Sequence, residues 1–153
     1  MILEDEGDFR LDDEAATAAL GARIAPILRP GDAVCLFGPL GAGKSTLARG
    51  LIRALTSGDE DVPSPTFTLV QSYEGSGLTI AHFDLYRLKS AAEAFELGLD
   101  EALDVGCAII EWPERLEGTL PESRLDIELS IDGKVRRARL TPHGDFEGRA
   151  LEF

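Results

Sequence analysis

A lysine and a serine that close a glycine-rich stretch at fixed spacing hold the strongest chemical signal in this chain. Gly38-Pro39-Leu40-Gly41-Ala42-Gly43-Lys44-Ser45 fits the pattern G-x-x-x-x-G-K-[ST]. A loop of that kind turns backbone N–H groups and a helix N-terminus toward a polyphosphate. Lys44 would bring a point charge to the β- and γ-phosphates, and Ser45 a hydroxyl to Mg²⁺. Gly38, Gly41, Ala42, Gly43, Lys44, Ser45 and Thr46 are the expected nucleotide-contacting positions.

Such a loop needs acids and hydroxyls to complete it. Something must help hold the metal, and something must orient the attacking water or acceptor. In open α/β sheets these groups sit at the C-terminal ends of strands. Asp84 follows the apolar run that ends at Phe83, and Glu111 follows the run that ends at Ile110. An isolated acid at such a place is usually a surface carboxylate, but two beside this loop point to chemistry. Thr66, in Ser64-Pro65-Thr66-Phe67, follows the loop's own helix and its linker, where switch-type NTPases place a hydroxyl.

The elements that must position these residues are readable in outline. Ala33 to Phe37 is a short apolar strand, and Thr46 to Leu55 has helical spacing. Leu11 to Leu28 reads as a helix with acids at its start, closed by Pro30-Gly31-Asp32. Ser57 to Asp61 is a polar linker. Phe67 to Tyr73 and Leu78 to Phe83 read as a hairpin around Glu74-Gly75-Ser76-Gly77. Ala91 to Leu103 is helical with an interruption near Gly98, and Cys107 to Ile110 is a strand buried on both faces. Arg124 to Ile131 and Val135 to Leu140 alternate around Asp132-Gly133, an antiparallel edge added to a parallel core. The expectation is one domain over residues 1–153: a P-loop NTPase-like three-layer α/β sandwich with a mixed, mostly parallel central sheet and a C-terminal antiparallel hairpin.

Bulk properties narrow the function. The chain has 153 residues, ordinary hydrophobic content and a net charge of −13. That charge argues against tight, direct binding to a nucleic-acid backbone. The one basic cluster, Lys134, Arg136, Arg137 and Arg139, reads as the solvated face of a strand. No apolar run is long enough for a membrane span, and the acidic start lacks the pattern of a secretory signal, so a cytoplasmic location is expected. Cys35 and Cys107 lie in apolar runs and read as buried small hydrophobes rather than a disulfide. His82 and His143 belong to no zinc pattern.

Taken with Ser64-Pro65-Thr66-Phe67-Thr68-Leu69-Val70, His82-Phe83-Asp84-Leu85-Tyr86-Arg87, Leu97-Gly98-Leu99-Asp100 and Ile110-Glu111-Trp112-Pro113-Glu114, the glycine-rich loop resembles that of the bacterial TsaE (YjeE) family in order and spacing. The resemblance runs from about the first helix to the final hairpin. It implies an ATPase, using ATP and Mg²⁺, that works with the TsaB and TsaD proteins as they place a threonylcarbamoyl group on an adenosine of certain tRNAs. ATP turnover would reset the TsaB–TsaD pair. Carried over, Lys44 and Ser45 match the phosphate and Mg²⁺ residues, and Thr66 the switch threonine. Asp84 takes the water or the metal, Glu111 the metal directly or through water, and Trp112 packs near the nucleotide. Pro39 and Gln71 depart from common family choices but remove no group assigned to chemistry. A small P-loop metabolite kinase is the alternative on residues alone. A guanine-specific switch is excluded, because its reader needs an asparagine and the chain has none.

Overall fold

The computed structural model describes residues 1–75 and 77–149. Eight strands form one sheet: β1 (Ile2–Asp5), β2 (Asp8–Leu11), β3 (Ala33–Phe37), β4 (Val70–Glu74), β5 (Thr79–Asp84), β6 (Gly106–Glu111), β7 (Arg124–Asp132) and β8 (Val135–His143). Their spatial order is β1-β2-β8-β7-β3-β6-β5-β4. The central run β7-β3-β6-β5 is parallel throughout, and each flank is antiparallel. Among these residues four α-helices complete the fold: α1 (Glu14–Ile24), α2 (Lys44–Leu55), α3 (Ala91–Glu96) and α4 (Leu99–Val105).

Alternation along the central strands sends side chains to two cores. Val34, Leu36, Ile80, Cys107 and Ile109 face α1 and α2. Cys35, Ala81, Phe83, Ala108 and Ile110 face the other way, onto Leu85, Ala94, Leu99 and Leu116. This is the expected three-layer arrangement, and it explains why these strands read as unbroken apolar runs. Leu20, Leu47 and Leu51 are fully buried between α1, α2 and the sheet, each stabilising the fold by about 1.5–3 kcal/mol relative to exposure. The two helices touch backbone to backbone. A Cβ on Gly21 would run into the Leu47 carbonyl, and one on Gly50 into that of Ala18. The close approach sets Thr17 of α1 against Gly43, at the tip of the glycine-rich loop.

Several boundaries differ from the sequence-based expectation. Leu11 ends β2 rather than starting a helix; α1 begins at Glu14, with the Asp13 side chain accepting a hydrogen bond from Ala16 N. The acidic start forms a hairpin, β1 and β2, whose register against β8 is set by pairs such as Phe9 with Ala138. Phe9, Leu11, Ala138 and Leu140 share one buried cluster, so these apolar residues outweigh the charges around them. The strand expected from Phe67 begins only at Val70, because residues 66–69 form a turn in which Leu69 has φ 68°. The turn expected at Glu74-Gly75-Ser76-Gly77 includes Ser76, which lies outside the described residues; Glu74 ends β4, and Gly75 N donates to the Leu78 carbonyl at 2.8 Å. The C-terminal hairpin is not an edge. Its first strand, β7, pairs parallel to β3, its second is covered by β2, and the sheet's edges are β1 and β4. The split helix is as expected, with Gly98 at φ 93° between α3 and α4.

Candidate functional site at the start of α2

The loop from Gly38 to Gly43 joins the C-terminal end of β3 to α2. Gly38, Gly41 and Gly43 adopt φ of 143°, 81° and 107°, which side chains rarely tolerate. Gly38 is also sterically required, since a Cβ there would lie 2.5 Å from the Leu129 carbonyl oxygen of β7. No side chain caps α2. Its first N–H groups therefore lack intrahelical partners and face outward, a ready site for an anion.

Lys44 is 5% exposed. Its Nζ donates to the Gly38 carbonyl at 2.5 Å and sits 3.4 Å from the centre of the Trp112 ring. Burial pulls its pKa below the ordinary lysine value, against the opposing charges of Glu111, Glu114 and Asp84. Trp112 holds a left-handed backbone, φ 59°, and Tyr86 packs on its ring at 4.9 Å. Leu69 and Trp112 are two of the three non-glycine residues with positive φ among the described residues. Each such conformation costs on the order of 1–3 kcal/mol and persists only where the surroundings enforce it. Both flank this site.

Asp84 and Glu111 are the last residues of β5 and β6 and pair directly in register. Both are buried, at 6% and 3% exposure, and both lie on the sheet face that carries α2. Their partners differ. The Ser45 hydroxyl donates to the Glu111 carboxylate, 3.2 Å from Oε1 and 3.4 Å from Oε2. His82 Nε2 lies 2.7 Å from Glu111 Oε2. Asp84 accepts instead from the Thr66 hydroxyl at 3.2 Å and from Tyr86 N at 3.0 Å. Thr66 in turn shares a 2.8 Å hydrogen bond with Ser64. Ser45, Thr66, Asp84 and Glu111 thus form two carboxylate–hydroxyl pairs near the start of α2. The Ser45–Glu111 pair offers only oxygen donors at a helix N-terminus. That suits Mg²⁺, which takes one or two protein oxygens and fills the rest from phosphate and water. Among the described residues no set of three or more His, Cys, Asp or Glu side chains is fit to hold a metal alone.

One part of the site was missed in the sequence. A cavity of about 550 Å³ opens beside the loop. Leu11 and Asp12 wall it on one side, Thr46 and Gly43 on another, and Lys134 and Arg136 on a third. Arg136 Nε donates to the Gly41 carbonyl at 3.1 Å. The basic cluster on β8 is therefore split. Arg137 and Arg139 lie on the open face, as expected, with Arg137 bonded to Glu4 and Asp132. Arg136 points the other way, at the loop. The signal was strand alternation itself, which puts Arg136 on the face of Ala138 and Leu140. It could not be used without knowing which face carries the loop.

Fold and site define an α/β protein of the P-loop type. A family model described as "Threonylcarbamoyl adenosine biosynthesis protein TsaE" matches residues 11–139, and the chain belongs to the TsaE family. A Rickettsia felis "tRNA threonylcarbamoyladenosine biosynthesis protein TsaE" is 40% identical over 94% of this chain and 84% of its own length. The Bacillus subtilis protein of the same description is 37% identical over 84% and 80%. The crystal structure of Bacillus subtilis YdiB superposes with a TM-score of 0.76 at 31% identity, covering 92% of this chain and 88% of that one. No helix among the described residues is long and apolar enough to cross a membrane.

Proposed function

We propose that this chain is a Mg²⁺-dependent ATPase, slow when alone, that serves tRNA threonylcarbamoyladenosine biosynthesis by acting on a TsaB–TsaD complex. The observation that carries the reading is the convergence of Lys44, Ser45 and Glu111 at the uncapped start of α2. Family membership supports the pathway. Lys44, with three N–H donors of which one goes to the Gly38 carbonyl, has donors left for the β- and γ-phosphates. The loop N–H groups cradle those phosphates, and the cavity walled by Leu11, Thr46 and Arg136 takes the nucleoside. Ser45 and Glu111 would hold Mg²⁺, which when bound supplies charge neutralisation across the phosphates. Thr66 and Asp84, opposite, would orient the water that attacks the γ-phosphate.

An acid-rich protein with charge −13 suits a basic, tRNA-binding partner surface better than tRNA itself. Phosphate release is measured with this chain alone, with TsaB and TsaD added, and with tRNA titrated into the mixture. The expected result is slow turnover alone, stimulation by the two proteins, and competition by tRNA. Calorimetry should find tighter binding of Mg·ATP than of Mg·GTP. No stimulation, together with phosphorylation of a small metabolite, would overturn the reading in favour of a kinase.

A further inference from the structure

His82 is buried at 1% exposure, yet among the described residues its one polar contact is the 2.7 Å hydrogen bond between Nε2 and Glu111 Oε2. Its Nδ1 is buried with no hydrogen-bond partner among the described residues. A histidine that merely ties two strands together would use both ring nitrogens. Here only Nε2 is used, and it goes to one carboxylate. A hydrogen on Nε2 fits this arrangement: it donates to Glu111, and no acceptor near Nδ1 asks for a second one. Register explains the reach. Asp84 pairs with Glu111 across β5 and β6, and His82 stands two residues earlier on the same face.

The consequence is geometric. With Oε2 held by the ring, the Glu111 carboxylate cannot rotate freely, and Oε1 stays on the Ser45 side at 3.2 Å. We propose that His82 is a positioning residue that orients the Glu111 carboxylate for the cation accompanying the nucleotide. The inference rests on the nucleotide-dependent reading above. Partners one shell out from a metal ligand alter metal affinity or activity by about 10- to 100-fold when removed.

The test uses the full chain and ADP affinity by calorimetry, with Mg²⁺ and with a chelator. In the parent protein Mg²⁺ should tighten ADP binding; if it does not, the functional reading itself fails. His82→Leu should keep the metal-free ADP affinity within about twofold and raise the Mg²⁺ concentration needed for half of the tightening by about 10- to 100-fold. His82→Gln, which can still donate to Glu111, should recover most of the loss. Parent-like Mg²⁺ dependence in His82→Leu would overturn the proposal. So would an equal loss of ADP affinity with and without metal, which marks a purely structural role. Should His82→Leu not fold, the intact protein decides. With ¹⁵N-labelled histidine, the His82 Nε2 resonance should move when Mg²⁺ is added to the ADP complex, and an unmoved resonance would overturn the proposal.

Discussion

The two halves of the sheet handle charge in opposite ways. In the parallel half, β3, β5 and β6 are covered on both faces, and their charged residues collect at one end, around the start of α2. In the antiparallel half, β7, β8, β2 and β1 bury one face and leave the other open. There the charges cancel in pairs: Arg137 with Glu4 and Asp132 and Arg139 with Asp8 across strands, and Arg124 with Asp126 along β7. The difference teaches where a charge can do chemistry. An exposed pair is screened and worth little. At the start of α2 the Lys44 charge instead faces Glu111, Glu114 and Asp84 together inside a buried pocket, where charges are screened much less. Two features join the halves: Gly38, pressed against Leu129 of β7, and Arg136, reaching from β8 to Gly41.

The largest expected effect is in the parallel half. Lys44→Ala should lower ATP hydrolysis by about a hundredfold or more, measured as phosphate release, while circular dichroism stays native. Unchanged turnover would remove the contrast between the halves at its root. The two carboxylates come next. Glu111→Gln and Asp84→Asn should each lower hydrolysis about tenfold or more. They should separate in calorimetry: Glu111→Gln loses the Mg²⁺-dependent gain in ADP affinity, whereas Asp84→Asn, bound to Thr66 rather than Ser45, keeps it. Identical behaviour would mean the two carboxylate–hydroxyl pairs are one unit.

Gly38→Ala tests the seam. A methyl there meets the Leu129 carbonyl, so denaturant titration should show a loss of about 1–3 kcal/mol. ADP binding should weaken with it. Adjacent arginines on β8 give a finer contrast. Arg136→Ala should weaken ADP binding about tenfold, on the order of 1.5 kcal/mol for one charged hydrogen bond, whereas Arg137→Ala should change neither ADP binding nor the melting temperature. Equal effects would mean the two faces of β8 are not distinct.

The smallest effect is an absence of reaction. Cys35 and Cys107 lie on opposite faces of the parallel half, in separate cores. Burial pushes the Cys107 thiol up to about 12, helped by the charge of Asp32. Cys35 is raised further, by burial and then Asp126. Thiolate is scarce in both well above neutral pH, so iodoacetamide at pH 8 should leave the native chain unmodified by mass spectrometry. In denaturant both should react. Labelling of the native chain at either cysteine would show that face is not sealed.

Local order in the chain is enough to find the glycine-rich loop, the parallel strands and the two acids at their ends, because these signals are contiguous. Gly38 to Ser45 sits between an apolar run and a helical period, and Asp84 and Glu111 each end a run. The split at Gly98 and the hairpin at Asp132-Gly133 are local too. The N-terminal hairpin was not legible. Ile2 to Leu11 is weakly alternating and acidic, and becomes sheet only because β8 offers it an apolar face to extend. The late start of β4 has the same kind of cause: Thr66 is held by Asp84, a residue 18 positions away.

Which carboxylate meets which hydroxyl, that His82 serves Glu111, and that Arg136 rather than Arg137 meets the loop are all matters of pairing between distant strands. A period of two tells that neighbours on β8 diverge. Only the parallel docking of β7 beside β3 decides which of them faces the cavity beside the loop, because strand register and the side on which α1 and α2 pack are tertiary choices.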